Sequence, residues 1–181
     1  MIDSRTLFRK VTPSVLETDA DPVSVSDAAI TGLIVAAREA PNGRARLILH
    51  EGADDNFHEM VIALPSTSCD HPHINFKSGK SFLALSGQFA VMRFSDDGAE
   101  IEAIVLSDGR YPGARMTRLR RAAWHTIIPL EGDTVFLESI AGPFEGNRFA
   151  AWFPETSHYE KRADFVDRLR RIARRAAEAL P

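Results

Sequence analysis

Two histidines one residue apart, His71 and His73, follow the only cysteine in the stretch Cys69-Asp-His-Pro-His-Ile-Asn-Phe76. Side chains alternate faces along an extended segment, so a strand here is expected to turn Cys69, His71 and His73 the same way. Neutral imidazole nitrogen is a ligand for Zn, Fe, Mn, Ni and Cu, and two imidazoles on one face make half of a metal site. The other half is expected from His125, in Ala-Ala-Trp124-His125-Thr126, provided its strand lies opposite. The competing reading is that all three are ordinary polar residues of a pocket or surface.

The next chemistry is anionic recognition. In Arg44–His50, alternation sets Arg44, Arg46, Ile48 and His50 on one face and Ala45, Leu47 and Leu49 on the other. Arginine matches carboxylate and phosphate with a two-pronged fork, so that face is read either as a pocket wall for an anion or as a solvated strand face. Glu138 shares a face with Phe136 and, if buried, needs a partner. Cys69 is a small hydrophobe or a ligand. His58 and His158 join no constellation and are read as surface residues, and Trp124 and Trp152 as packing.

These residues need elements to hold them. Ser26–Ala40 reads as a helix, with Ser24 or Ser26 as N-cap, Asp27 in the first turn, and Ile30, Leu33, Ile34 and Ala37 at helical spacing. Pro41-Asn42-Gly43 ends it. Before it, Thr6–Val11 reads as a strand in an irregular arm. After it the pattern is short strands: Arg44–His50, Phe57–Leu64, Cys69–His73, Lys80–Ser86 closing at Gly87, and Gln88–Phe94. Then come an Asp-Gly turn at Ser95–Gly98, Glu100–Ser107, Met116–Leu119, Trp124–Pro129 and Thr134–Ala141. Ile74–Gly79 reads as a polar loop. About eight or nine strands at roughly ten-residue spacing indicate an all-β sandwich or barrel. Phe149–Pro154 reads as an apolar strap across it. His158–Leu180 reads as a second helix with an apolar stripe of Phe165, Leu169, Ile172, Ala176 and Leu180. Its basic residues are read as a solvated face, with an anionic membrane or nucleic acid as the alternative partner. The expected division is an N-terminal arm and helix (1–43), a barrel (44–155) and a basic amphipathic helix (156–181).

Composition sets the class. The chain has 181 residues, 44% hydrophobic and 26% charged, with a net charge of −3, which describes an ordinary globular protein and argues against general nucleic-acid binding. A single cysteine excludes an intrachain disulfide and points to a reducing compartment. The N-terminal stretch lacks a secretory apolar core, and no run reaches the roughly eighteen apolar residues of a bilayer span. The expectation is a cytoplasmic protein with a small-molecule ligand and neither nucleic acid nor membrane as partner.

The order of several of these motifs resembles the cupin superfamily, whose first motif carries His-x-His, a glutamate and a glycine, and whose second carries one histidine. His71-Pro-His73 and Gly87 match the first and His125 the second. More narrowly the chain resembles the WbuC-type cupin-fold metalloproteins from about Arg44 to Glu155. The residues carrying this are Arg46–His50, Asp54-Asp55, Phe82–Gly87, Phe94–Gly98, Trp124–Thr126, Glu138, Gly142–Phe144 and Ala151–Glu155. The resemblance implies a mainly β, double-stranded β-helix (jelly-roll) barrel and a homodimer. It also implies a divalent transition metal (Fe, Mn, Ni or Zn) on His71, His73 and His125, and a sugar or nucleotide-sugar ligand.

One departure bears on that set. Across six intervening residues before Gly87, where the pattern has its glutamate ligand, this chain has Lys80, and the loop after His73 is longer than usual. A protonated lysine repels a cation. Three outcomes stay open: a three-histidine metal with open positions, a fourth ligand from Cys69, Glu138 or His50, or no metal and an anion held by Lys80. A metal-dependent enzyme and a non-catalytic module binding a small anion or sugar are therefore both carried forward.

Overall fold

The computed structural model describes residues 8–76, 79–155 and 157–181. Among them are ten strands and two helices: β1 (Arg9–Thr12), β2 (Val15–Glu17), α1 (Asp27–Glu39), β3 (Ala45–Ile48), β4 (Phe57–Leu64), β5 (His73–Asn75), β6 (Lys80–Phe94), β7 (Ile101–Ser107), β8 (Met116–Arg118), β9 (Trp124–Ala141), β10 (Asn147–Phe149) and α2 (Tyr159–Glu178). Of the strand expected at Thr6–Val11, Thr6 and Leu7 lie outside the described residues, as do Lys77 and Ser78 of the expected loop.

Two long strands, β6 and β9, organise the molecule. Their antiparallel register runs from Lys80 opposite Ile140 to Phe94 opposite Trp124, with irregularities between Ala84 and Phe89. The second half of β9 also pairs with β4, and β3 and the β1–β2 hairpin extend that side. At its first half, β9 meets β5 where His73 faces His125, and β10 closes on β5. β7 and β8 flank β6. Because β6 and β9 each serve both sides, the sheet rolls up as a jelly-roll. The sequence breaks them at Gly87 and near Gly132, but both are continuous. Gly87 sits inside β6 with φ +83°, and a Cβ there would come within 2.6 Å of the Asp133 carbonyl oxygen, so the glycine serves a bulge rather than a strand end.

Three apolar clusters show what alternation buries. One fills the barrel between its walls, with Ile62, Phe82, Phe89, Leu106 and Phe136. The second lies under α1, where Leu33 and Ala37 meet Ala45, Leu47, Val61 and Ala63. The odd-numbered face of β3 is thus committed to α1, which leaves Arg46 and Ile48 facing the barrel. Ser26 caps α1 by accepting from the Ala29 N–H. The third lies under α2 and joins Met92, Phe94, Trp124, Ile128 and Phe153 to Val166, Leu169 and Ala173. The stripe on α2 is therefore rotated from the expected one: Leu180 is exposed, while Val166 and Ala173 are buried and Phe165 and Ile172 flank them. No helix among the described residues is long and apolar enough to cross a membrane.

Candidate functional site

The barrel holds a partly open cavity of about 650 Å³. Its lining follows from the pleat. Across the sheet, Ile48, Met60, Glu138 and Phe82 form one row and Arg46, Ile62 and Phe136 the next, all on the cavity face. His58, Ile140 and Lys80 form a third. Phe82 and Phe136, fully buried, make an apolar floor. Exposed Phe144 and Phe149 stand at the rim.

Lys80 and Glu138 are two residues apart in register on neighbouring strands, a diagonal that long side chains span. They form an ion pair at 3.1 Å with side-chain exposures of 4% and 12%. The Lys80 ammonium also lies 5.9 Å from the Phe82 ring centroid.

His73 and His125 face each other with ring centroids 4.5 Å apart. Each Nδ1 contacts a backbone carbonyl, that of His71 at 3.1 Å and of Ala123 at 2.8 Å. A carbonyl only accepts, so both rings carry the proton on Nδ1, and each Nε2 is left with its lone pair. Among the described residues the buried Nε2 of His125 has no partner, nor has the Oδ1 of Asn75, whose Nδ2 donates to Asn147 Oδ1. Burial lowers the pKa of His73, with the Lys80 charge adding to it. Burial lowers that of His125 well below the ordinary value, reinforced by Lys80 and then His73. In the unfolded chain these rings protonate from about pH 6.5 downward, whereas the folded protein takes those protons only at lower pH. The unfolded state then binds more protons, so stability is full above about pH 6.5 and falls as pH drops below it. Urea midpoints measured from about pH 7.5 to about pH 5 should show this loss, and His125→Phe should flatten it. Equal slopes in both proteins would mean that the ring titrates normally.

The expected shared face of Cys69, His71 and His73 is not formed. β5 begins at His73, and Cys69 to Pro72 are outside any strand. His71 Nε2 donates to the Ala150 carbonyl at 2.9 Å, and its ring packs on Phe149 and Phe153 at 5.5 and 4.8 Å. Neither Cys69 nor His71 lines the cavity. Cys69 packs in the α2 cluster, and burial pushes its thiol up to about 12, so it is no thiolate. Thus His73 and His125 are brought together, and with them Lys80, Glu138, Arg46 and His50; His71 and Cys69 are not.

Whether these residues fit the implied transition metal is decided by the donors. Two neutral imidazoles with Nδ1–H on backbone carbonyls suit metal ligation. Against that, no group of three or more His, Cys, Asp or Glu among the described residues is placed to hold an ion. The carboxylates that act on His73 are already engaged, Glu138 by Lys80 and Asp70 by Arg44, and the Lys80 ammonium raises the positive potential at both imidazoles. The residues as placed do not fit a three-histidine centre, with or without a carboxylate.

His58, read from the sequence as a surface residue, is 4% exposed and lines the cavity. It stacks on His50 at 4.0 Å, and His50 Nδ1 donates to the Glu59 carbonyl at 3.0 Å. Alternation along β4 from Met60 and Ile62 would have placed it. Asn75 was also missed; it sits two residues past His73 in β5, a strand of which only His73 itself was expected. Arg44 pairs with Asp70 at 2.8 Å. Arg46 lines the cavity with no hydrogen bond or ion pair on its guanidinium among the described residues. Burial and the neighbouring Arg44 charge lower its pKa, against the pull of Glu138 and Asp70, but a guanidinium stays charged.

Comparison with known proteins supports the fold. Residues 25–106 match a family described as a domain of unknown function, DUF6016. No curated protein matches the sequence. An oxalate oxidase solved with the substrate analogue glycolate superposes with a TM-score of 0.50 at 16% identity, over 74% of this chain and 73% of that one. Looser likenesses are to a cupin superfamily protein from Desulfitobacterium hafniense (TM-score 0.42, 11% identity, 54% and 76% covered) and to oxalate decarboxylase of Bacillus subtilis, studied for its Mn(II) centres (0.44, 17%, 62% and 30%). The chain has the cupin jelly-roll fold.

Proposed function

We propose that the barrel binds a small hydroxylated organic anion, such as a hydroxy acid, sugar acid or sugar phosphate, without a three-histidine metal centre. The observation that carries this is Arg46: among the described residues it is the cavity cation without a bonded counter-ion, while Arg44 is matched by Asp70 and Lys80 by Glu138. A guanidinium in a partly desolvated pocket takes a carboxylate or phosphate by two parallel hydrogen bonds. His125 Nε2 and Asn75 Oδ1, both acceptors, are buried and have no partner among the described residues, and buried acceptors call for donors. Hydroxyl groups on the ligand supply them. The Phe82–Phe136 floor takes the carbon skeleton. Glycolate in the oxalate oxidase structure shows that a jelly-roll of this kind accommodates a small hydroxylated carboxylate in that protein. A sugar acid or sugar phosphate also agrees with the sugar ligand implied by the resemblance to WbuC-type proteins.

The test is calorimetric titration of wild type and Arg46→Gln with glycolate, gluconate, glucose 6-phosphate and inorganic phosphate. A charged hydrogen bond contributes about 1.5–3 kcal/mol, so Arg46→Gln is expected to weaken the bound anion roughly 10- to 100-fold. Equal affinity in both proteins, or no binding of any of them, would overturn the reading. Metal analysis of untagged protein belongs to the same test: near-stoichiometric Fe, Mn, Ni or Zn, lost in His73→Ala, would restore the metal-dependent alternative.

A further inference from the structure

Arg46 and the two unpartnered acceptors explain how an anion is held, but not why a primary amine lies beside them. Lys80 is one of four lysines in the chain and lies almost wholly inside the barrel, its ammonium 3.1 Å from a carboxylate that is itself nearly buried. A structural ion pair would serve equally well with both groups turned from the cavity, yet both line it. Around them are Phe82 and two neutral imidazoles, and His125, whose Nε2 is buried, lines the same cavity as Lys80. An amine with a proton acceptor in contact, a second base nearby and apolar walls is the equipment for condensation with a carbonyl.

We propose that Lys80 is an imine-forming residue, and that the ligands of this cavity include carbonyl-bearing anions of the α-keto acid or keto-sugar acid class. This rests on the anion-binding reading, because Arg46 is what would bring a carboxylate into the cavity that Lys80 lines. The step balances without any further reagent. Glu138 takes one proton from the Lys80 ammonium, leaving a free amine and a carboxylic acid. The amine nitrogen adds to the carbonyl carbon, and the C=O π bond opens onto oxygen. His125 Nε2 accepts a proton from the new ammonium and returns it to that oxygen, giving a neutral carbinolamine. Glu138 then protonates the hydroxyl, the C–O bond breaks, and water leaves. The product is an iminium on Lys80 opposite an ionised Glu138. Total charge is unchanged, and the three ammonium hydrogens end as two in water and one on the iminium. Glu138 carries the same proton away and back, so it is required in both forms, which its contact with Lys80 permits.

The probe is pyruvate with sodium cyanoborohydride, whose hydride reduces an iminium to a stable secondary amine. The full-length protein is labelled, digested and mapped by mass spectrometry, and pyruvate binding is measured separately by calorimetry without reductant. The expected result is one reduced adduct per chain on Lys80, with little on Lys10, Lys77, Lys161 or the N-terminal amine. Glu138→Gln is expected to slow labelling by about a hundredfold, the range of a lost general acid–base group. Lys80→Arg, which keeps a cation opposite Glu138, is expected to remove the adduct while still binding pyruvate. Labelling confined to the other amines, or no labelling at all, would overturn the inference, and wild-type mapping decides this even if a variant fails to fold. Pyruvate binding that depends on Arg46 but gives no adduct removes the imine and leaves the anion reading standing. An adduct on Lys80 that forms equally well in Arg46→Gln removes the anion reading and keeps the imine.

Discussion

Lys80→Met alone, or Glu138→Leu alone, is expected to destabilise the protein by about 3–5 kcal/mol, whereas Lys80→Met with Glu138→Leu is expected to be close to neutral or up to about 4 kcal/mol stabilising. The asymmetry follows from where the pair sits. With side-chain exposures of 4% and 12% the two charges have left most of their water behind, and each is compensated chiefly by the other. Removing one strands its partner beside Phe82 and two imidazoles whose pKa values burial lowers, with the Lys80 charge adding to it. Removing both leaves two apolar side chains over an apolar floor. Denaturant unfolding of the four proteins gives the coupling energy directly. A single-variant cost under about 1 kcal/mol, the range of exposed pairs, would mean that water reaches the pair in solution.

That cycle also shows which part of the site could be read from sequence. Lys80 stands out against the motif pattern and Glu138 stands out among apolar neighbours, so both are legible as site residues. Their pairing depends on a register, Phe82 opposite Glu138, that no local pattern encodes. Arg46 and His50 were legible because β3 keeps strict alternation: its other face, Ala45 and Leu47, is held by α1. α1 itself was legible to within a residue, since Ser26 caps it with a local hydrogen bond. The breaks that the sequence suggests in β6 and β9 are absent from both strands. Glycine signals a turn, but Gly87 supplies a bulge, and Glu131–Asp133 stay in the strand at its exposed bend. On α2 the charged residues left several rotations of the stripe open, and the β7, β6 and β9 surface chose the one through Val166, Leu169 and Ala173.

His71 was misplaced for a reason that lies far along the chain. Pro72 has no N–H to give a ladder, and its carbonyl is taken by the Ala150 N–H at 2.9 Å. The same Ala150 offers its own carbonyl to His71 Nε2. The strap after β10 thus fastens itself to residues 71–72 by two hydrogen bonds and turns the imidazole out of the barrel. Phe153 anchors that strap. It is 2% exposed, contacts the His71 ring at 4.8 Å and the Phe165 ring at 5.3 Å, and carries the Arg162 guanidinium 4.6 Å above its own ring. Phe153→Ala is therefore expected to cost about 3–5 kcal/mol, the range for truncating a buried phenylalanine, because α2, the strap and His71 all lose the same neighbour. His71→Ala removes one hydrogen bond on a half-buried ring and is expected to cost only about 1 kcal/mol. Unfolding curves give both values, and the imidazole resonances of folded Phe153→Ala report whether the His71 ring has been released. The two costs test the placement of His71 against its assignment as a ligand. If His71→Ala proved the more damaging of the two in metal-loaded protein, and harmless after chelation, the imidazole would be holding an ion rather than the strap, and the arrangement of the site would have to be redrawn around it.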